Sequence, residues 1–142
     1  MCKQSITIIG SGWLGLELIK RLQEDYKVFA SYRSEATKLK IEQTEAKPFF
    51  FDGANFDNEA FDSDLIFVNI PPGVRKDKGL EHLMFLKALS DKINRTTRVI
   101  YCNSTAIYSK GIDLDESMAN TKSPFYEFES ALDKSNTTIL RS

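Results

Sequence analysis

Two cysteines, one histidine and four prolines are few for a chain of 142 residues, and each scarcity excludes something. Cys2 sits on the terminus and Cys102 inside an apolar run, with no C-x-x-C spacing and no histidine near either. A disulfide framework or a zinc cluster needs more than that, so Cys102 reads as a buried thiol. The single histidine, His82, falls on a helical pattern away from strand ends and reads as a surface or half-buried side chain. No apolar run approaches the roughly 20 residues of a membrane helix. Neither sign of charge dominates. Nineteen basic against twenty acidic residues predict no strong pull toward nucleic acid or membrane. The acidic run Asp113-Leu114-Asp115-Glu116 reads as a solvated loop, not a metal site. The amino terminus passes straight into a strand without a secretory signal, so the cytoplasm is the expected address.

What is there is a regular alternation. Residues 6–9 are a short β-prone run ending in Gly10. Trp13, Leu14, Leu16, Leu18, Ile19 and Leu22 then recur at helical spacing, with Glu17, Lys20, Arg21 and Glu24 between them. Residues 27–31 read as a second strand, 35–42 as a second helix and 49–51 as a third strand stopped by Asp52-Gly53. Residues 65–70 have the composition of a fully buried strand, ended sharply by Pro71-Pro72-Gly73. Leu80, Leu83, Met84, Leu86, Leu89 and Ile93 mark a long helix, and residues 98–102 the next strand. A short helix over 125–133 and a last strand over 137–140 complete the series. Strand and helix in alternation predict α/β architecture: a doubly wound parallel sheet of about six strands in three α/β/α layers. The length suits one domain, residues 1–142.

The first strand-to-helix turn carries Gly10-Ser11-Gly12-Trp13-Leu14-Gly15. G-x-G-x-x-G gains meaning from its setting, after an apolar strand and opening a helix. Gly10 permits the tight turn, Gly12 leaves room for a pyrophosphate to reach backbone amides, and Gly15 lets helix and strand pack closely. The helix start adds roughly half a positive charge where phosphates would sit. Trp13 is the odd member: its indole would shield the ligand or, as the favoured expectation, pack under the next loop.

The end of the second strand selects the dinucleotide. An acid about 20 residues on would accept from a ribose 2′-OH. This sequence instead has Ala30-Ser31-Tyr32-Arg33-Ser34, with no acid before Glu35. Arg33 and the small hydroxyls, with Lys38 one turn on, would donate to a 2′-phosphate, which favours NADP over NAD. Asp52 falls where an adenine edge would lie, although Asp52-Gly53 equally reads as a simple turn. Ile70, Pro71 and Pro72 would run along the ligand's far ribose.

The glycine loop, the Pro71-Pro72 loop and the segment Tyr101-Cys102-Asn103-Ser104-Thr105-Ala106-Ile107-Tyr108 together resemble the extended short-chain dehydrogenase/reductase family. That family includes nucleotide-sugar epimerases and dehydratases. Glu116 and Pro124 resemble the acid and proline after its fifth strand, and residues 138–141 its sixth strand, so the resemblance runs over essentially the whole chain. It implies an NAD(P)-binding Rossmann fold and a small carbonyl or nucleotide-sugar substrate. It implies Ser104, with Thr105 beside it, as the hydroxyl that orients the substrate, though such a hydroxyl can equally cap its own loop.

The family's Tyr-x-x-x-Lys relay is missing. A phenol near pKa 10 needs such a cation to act as a base at neutral pH. Tyr126 has Ser130 four residues on, and matching Glu129 to the acid that trails the family's lysine puts Thr121 and Phe125 on the pair. Tyr108 is the fallback phenol, with Lys110 nearby. Two expectations follow from different classes. One is the dinucleotide-binding part of an epimerase- or reductase-like protein, its C-terminal substrate lobe absent or its pocket completed by a homodimer. The other is a non-catalytic module that senses the dinucleotide and reports to a partner.

Overall fold

The computed structural model describes residues 3–70, 79–93, 96–103, 128–132 and 136–141. They form β1 (Ser5–Ile9), α1 (Trp13–Leu22), β2 (Lys27–Tyr32), α2 (Glu35–Glu42), β3 (Lys47–Phe50), a 3-10 turn (Glu59–Asp62), β4 (Leu65–Val68), α3 (Gly79–Lys92), β5 (Arg98–Asn103) and β6 (Thr137–Arg141). Six strands make one parallel sheet in the order β3-β2-β1-β4-β5-β6. The chain starts in the middle, winds outward to β3, crosses back to β4 beside β1 and winds outward again. The reversal falls between β1 and β4, and in open α/β sheets the ligand crevice lies at the carboxyl ends of those two strands.

Strand alternation builds two cores. In β1, Ile6 and Ile8 join the cluster under α1 and α2, while Ile9 joins the cluster under α3 and residues 128–132. β2 and β4 divide the same way: Val28, Ala30 and Phe67 face α1 and α2, and Phe29, Ile66 and Val68 face the other layer. Successive strand residues point to opposite faces, so a sheet covered on both sides needs apolar residues at nearly every position. The α3 side is the more aromatic, with Phe49, Phe51, Phe56, Phe61 and Phe85 in mutual edge or tilted ring contacts.

The 3-10 turn is the element that sequence patterning does not foresee. Asn58 caps it by accepting from the Ala60 amide at 2.9 Å. Thr7, fully buried in the central strand, bonds the Ala60 carbonyl and shares a 2.6 Å hydrogen bond with the Ser63 hydroxyl. A buried threonine thus finds its partners in this turn, and Phe61 is locked into the core with it.

Two strands differ from their expected bounds by two residues at one end, and the other four by one residue. β3 covers Lys47–Phe50 rather than 49–51. Pro48 lies inside it, and a strand tolerates proline at the sheet edge, which is where β3 runs. β4 ends at Val68, although the Asn69 amide still donates to the Ile9 carbonyl at 2.8 Å. Among the described residues no helix is long and apolar enough to cross a membrane.

Candidate functional site

β1 delivers the chain to Gly10 at the switch point, and the three loop glycines are there for three different reasons. Gly10 has φ +101°, and a Cβ on it would drive into the carbonyl of Asn69, where β4 exits. Only glycine adopts that backbone while another strand passes so near. A Cβ on Gly15 would drive into the Gly10 carbonyl, so the first turn of α1 rides directly on the strand exit. Gly12 is the opposite case. Its φ of −78° suits any residue, and a Cβ there would meet nothing within 4 Å. Neither the backbone angle nor packing requires glycine at this position, and the space in front of it is open.

Gly12 is the N-cap of α1 and supplies no side-chain cap. The first turn contains no acid, whereas Lys20 and Arg21 complement the helix dipole at the other end. The amides of the first turn are therefore left with the positive end of the helix unanswered. α2 is different: Ser34 caps it, its Oγ accepting from the Thr37 amide at 3.3 Å. Beside the uncapped start lies Ser11, only 6% exposed, whose hydroxyl has no hydrogen-bond partner among the described residues. Such a group is unusual in a folded protein and marks a place where a partner is expected.

The loop is held from the side. The Gly10 amide donates to Ser31 Oγ at 2.9 Å, which ties the glycine turn to β2. That bond uses an acceptor site of the Ser31 hydroxyl and leaves its O–H donor uncommitted. Replacing Ser31 by alanine should lower stability by about 1 kcal/mol in urea unfolding; an unchanged midpoint would show the amide to be satisfied otherwise.

At the end of β2, Tyr32 is half-buried, Arg33 exposed and the Lys38 ammonium lies 5.7 Å from the Tyr32 ring centre. Arg33 Nη2 donates to the Asp52 carbonyl oxygen at 2.5 Å, so the exits of β2 and β3 are joined. Asp52 proves to be a turn former. Its carboxylate accepts from the amides of Ala54 and Asn55 at 2.9 and 3.0 Å, and Gly53 takes φ +95°. Those amides, helped by Arg33, hold the Asp52 carboxyl below its ordinary value. Ser34 serves as the α2 cap, and its hydroxyl also donates to Thr37 Oγ1. Of the residues expected at this end, Arg33 and Lys38 present cations, while the Ser34 hydroxyl is engaged in the α2 cap.

Two expectations are corrected. Trp13 does not pack under a loop: as the first residue of α1 it is 82% exposed, and Leu14 behind it is 38% exposed. His82 is not at the surface. It is 5% exposed in the first turn of α3, ringed by Phe85, Phe128 and Tyr101, and its Nε2 shares a 2.9 Å hydrogen bond with the Tyr101 hydroxyl. Burial lowers its pKa to about 4 and pushes the Tyr101 phenol well up, with Glu129 nearby adding to the second shift. Buried Glu129 and Tyr101 are polar core members that patterning does not single out, because Tyr101 stands in an apolar run. Cys102 is half-buried and free, its thiol pushed up by burial.

Ile70 is half-buried and packs against the α3-side core, next to the Gly10 contact. Pro71, Pro72, Ser104, Thr105 and Tyr108 lie outside the described residues, as do Lys110, Thr121, Phe125 and Tyr126. Among the described residues, no group of three or more His, Cys, Asp or Glu is placed to hold a metal ion. A groove of about 710 Å³ lies at the amino-terminal edge of the sheet, far from the glycines. Its Lys47 is paired with Glu59, which also feels Lys27, so the groove's charges answer one another.

No family model and no curated protein matches this chain. Solved structures do. A protein from Lactobacillus casei superposes with a TM-score of 0.66 at 16% identity, over 97% of this chain and 72% of that one. A wide-type short-chain dehydrogenase/reductase from Veillonella parvula, solved with NADP, gives 0.63 at 21% identity, over 97% and 68%. The TrkA-N domain of the inner membrane protein YbaL from Escherichia coli gives 0.65 at 12% identity, over 100% and 89%. The fold is Rossmann-like. At such identities the likeness is one of fold, and any function must be argued from the site.

Proposed function

We propose that this chain is a nicotinamide-dinucleotide-binding domain that prefers NADP. One observation carries the reading: a glycine-cleared, uncapped helix start stands at the switch point of a doubly wound sheet, with a buried and unpartnered Ser11 hydroxyl beside it. A pyrophosphate satisfies every feature of that place, since it accepts from the amides, takes the dipole and needs the volume over Gly12. The neighbour solved with NADP supports the same class of ligand.

The 2′-phosphate falls to Arg33, the exposed cation at the end of β2, with Lys38 adding charge from α2. Arg33 is already steadied by the Asp52 carbonyl, so less ordering is needed when it meets an anion. Calorimetric titration should show NADPH binding at least about tenfold more tightly than NADH, and Arg33→Ala should erase most of that difference. Equal affinities in the unaltered protein would refute the preference.

The bound nicotinamide supplies hydride chemistry. What this chain adds to it is positioning, together with the Ser104 and Thr105 hydroxyls as substrate-orienting groups and Tyr108 as the phenol that follows them in sequence. We read the protein as epimerase- or reductase-like in descent. A second reading, a non-catalytic module that senses the dinucleotide, is favoured by one feature: Ser130 stands where the lysine of a Tyr126-based relay would be. Hydride-transfer assays on simple carbonyls and keto-sugars separate the two, with little or no turnover expected.

A further inference from the structure

We propose that Trp13 is a ligand-covering residue: its indole lies over the dinucleotide held at the start of α1 and governs how tightly it is held. This rests on the dinucleotide reading above and adds a residue that the glycine pattern does not specify. Trp13 occupies the first helical position. In an α-helix the Cα–Cβ bond tilts toward the amino terminus, so a side chain covers the turn before its own Cα. For Trp13 that turn is Gly12 and Ser11, the open position and the residue with the orphaned hydroxyl.

Nothing among the described residues explains the indole where it stands. Among them it is the most exposed of the large apolar side chains, at 82%, while the rest of α1 sinks Ile19 into the core beside half-buried Leu16, Leu18 and Leu22. Leu14 adds a second partly exposed apolar residue at the same helix end. The local charge pattern suits an anionic ligand under an aromatic cover, since no acid stands in the first turn to oppose it. A flat, rigid ring that need order only two torsions is an efficient cover for a sugar-phosphate chain.

The chain's single tryptophan makes the test direct, because indole emission reports this residue alone. Emission should be followed with acrylamide as quencher, with and without saturating NADP⁺, alongside calorimetry on the same samples. The oxidised form is used because it does not absorb where indole emits. The expected result is a blue shift and reduced quencher access on binding, with Trp13→Ala binding about tenfold more weakly and Trp13→Phe close to the unaltered protein. Binding heat with unchanged quencher access, or an unaffected Trp13→Ala affinity, overturns the covering role and leaves the dinucleotide reading intact. Quencher protection that appears without nucleotide and grows with protein concentration assigns the indole to a contact between copies and also overturns it. Absence of binding heat with either NADP⁺ or NAD⁺ brings down both readings together.

Discussion

Gly12→Val is expected to weaken NADPH binding by about 100-fold or more while leaving stability within about 1 kcal/mol of the starting protein. The two halves of that result come from one observation. A Cβ at position 12 meets nothing within 4 Å, and the backbone there is not in the left-handed region, so the folded chain accepts a side chain. The space it fills is the space the diphosphate needs. Gly15→Val is the contrasting case, because its Cβ would drive into the Gly10 carbonyl and α1 would have to lift from the sheet. Backbone collisions of that kind cannot relax by rotating a side chain, and a loss of about 3 kcal/mol or more is expected. Calorimetry and urea unfolding on the two variants together check this. Wild-type affinity in Gly12→Val would remove the loop from ligand binding.

Acid should destabilise the protein well above the range where carboxylates titrate, and His82 is the reason. Its folded pKa of about 4 lies below the unfolded value of 6.5, because burial among Phe85, Phe128 and Tyr101 disfavours the charged ring. In the window between those values the unfolded chain binds a proton that the folded chain refuses. Stability is therefore complete above pH 6.5 and drains away as the pH falls toward 4. At about 1.4 kcal/mol per pH unit the full descent costs about 3 kcal/mol. His82→Gln keeps a polar partner for the Tyr101 hydroxyl and should flatten the profile over that window. A descent of the same size in His82→Gln would assign the acid sensitivity to other groups.

The sequence and the structure agree most where a local rule acts alone. The bounds of α2, Glu35–Glu42, coincide with expectation, and Ser34 caps the helix by accepting from the Thr37 amide. The packing duties of Gly10 and Gly15 were legible because each follows from the tight passage between strand and helix in this topology. Long-range partners were not legible. His82 looked like a solvent residue because only the folded chain brings Tyr101 and Phe128 around it. The bond that Ser31 Oγ accepts from the Gly10 amide has no sign in the local sequence. The 3-10 turn depends on Thr7, which sits in β1 and gives no local sign of its role. Trp13 was expected to pack because large apolar side chains usually do, and it is 82% exposed instead.

The placement of β1 also shapes how the molecule is made. It is the first strand synthesised, yet it ends in the middle of the sheet, flanked by β2 on one side and β4 on the other. Its β2 edge is satisfied early, whereas its β4 edge stays open until β2, α2, β3 and the 3-10 turn have all left the ribosome. During that interval the nascent chain displays a bare row of amides and carbonyls along Ser5, Thr7 and Ile9, a template for pairing with another copy. Parallel pairing across so long a stretch is intrinsically slow. Yield in overexpression is therefore expected to depend on holdase chaperones more than on the equilibrium stability of the finished domain.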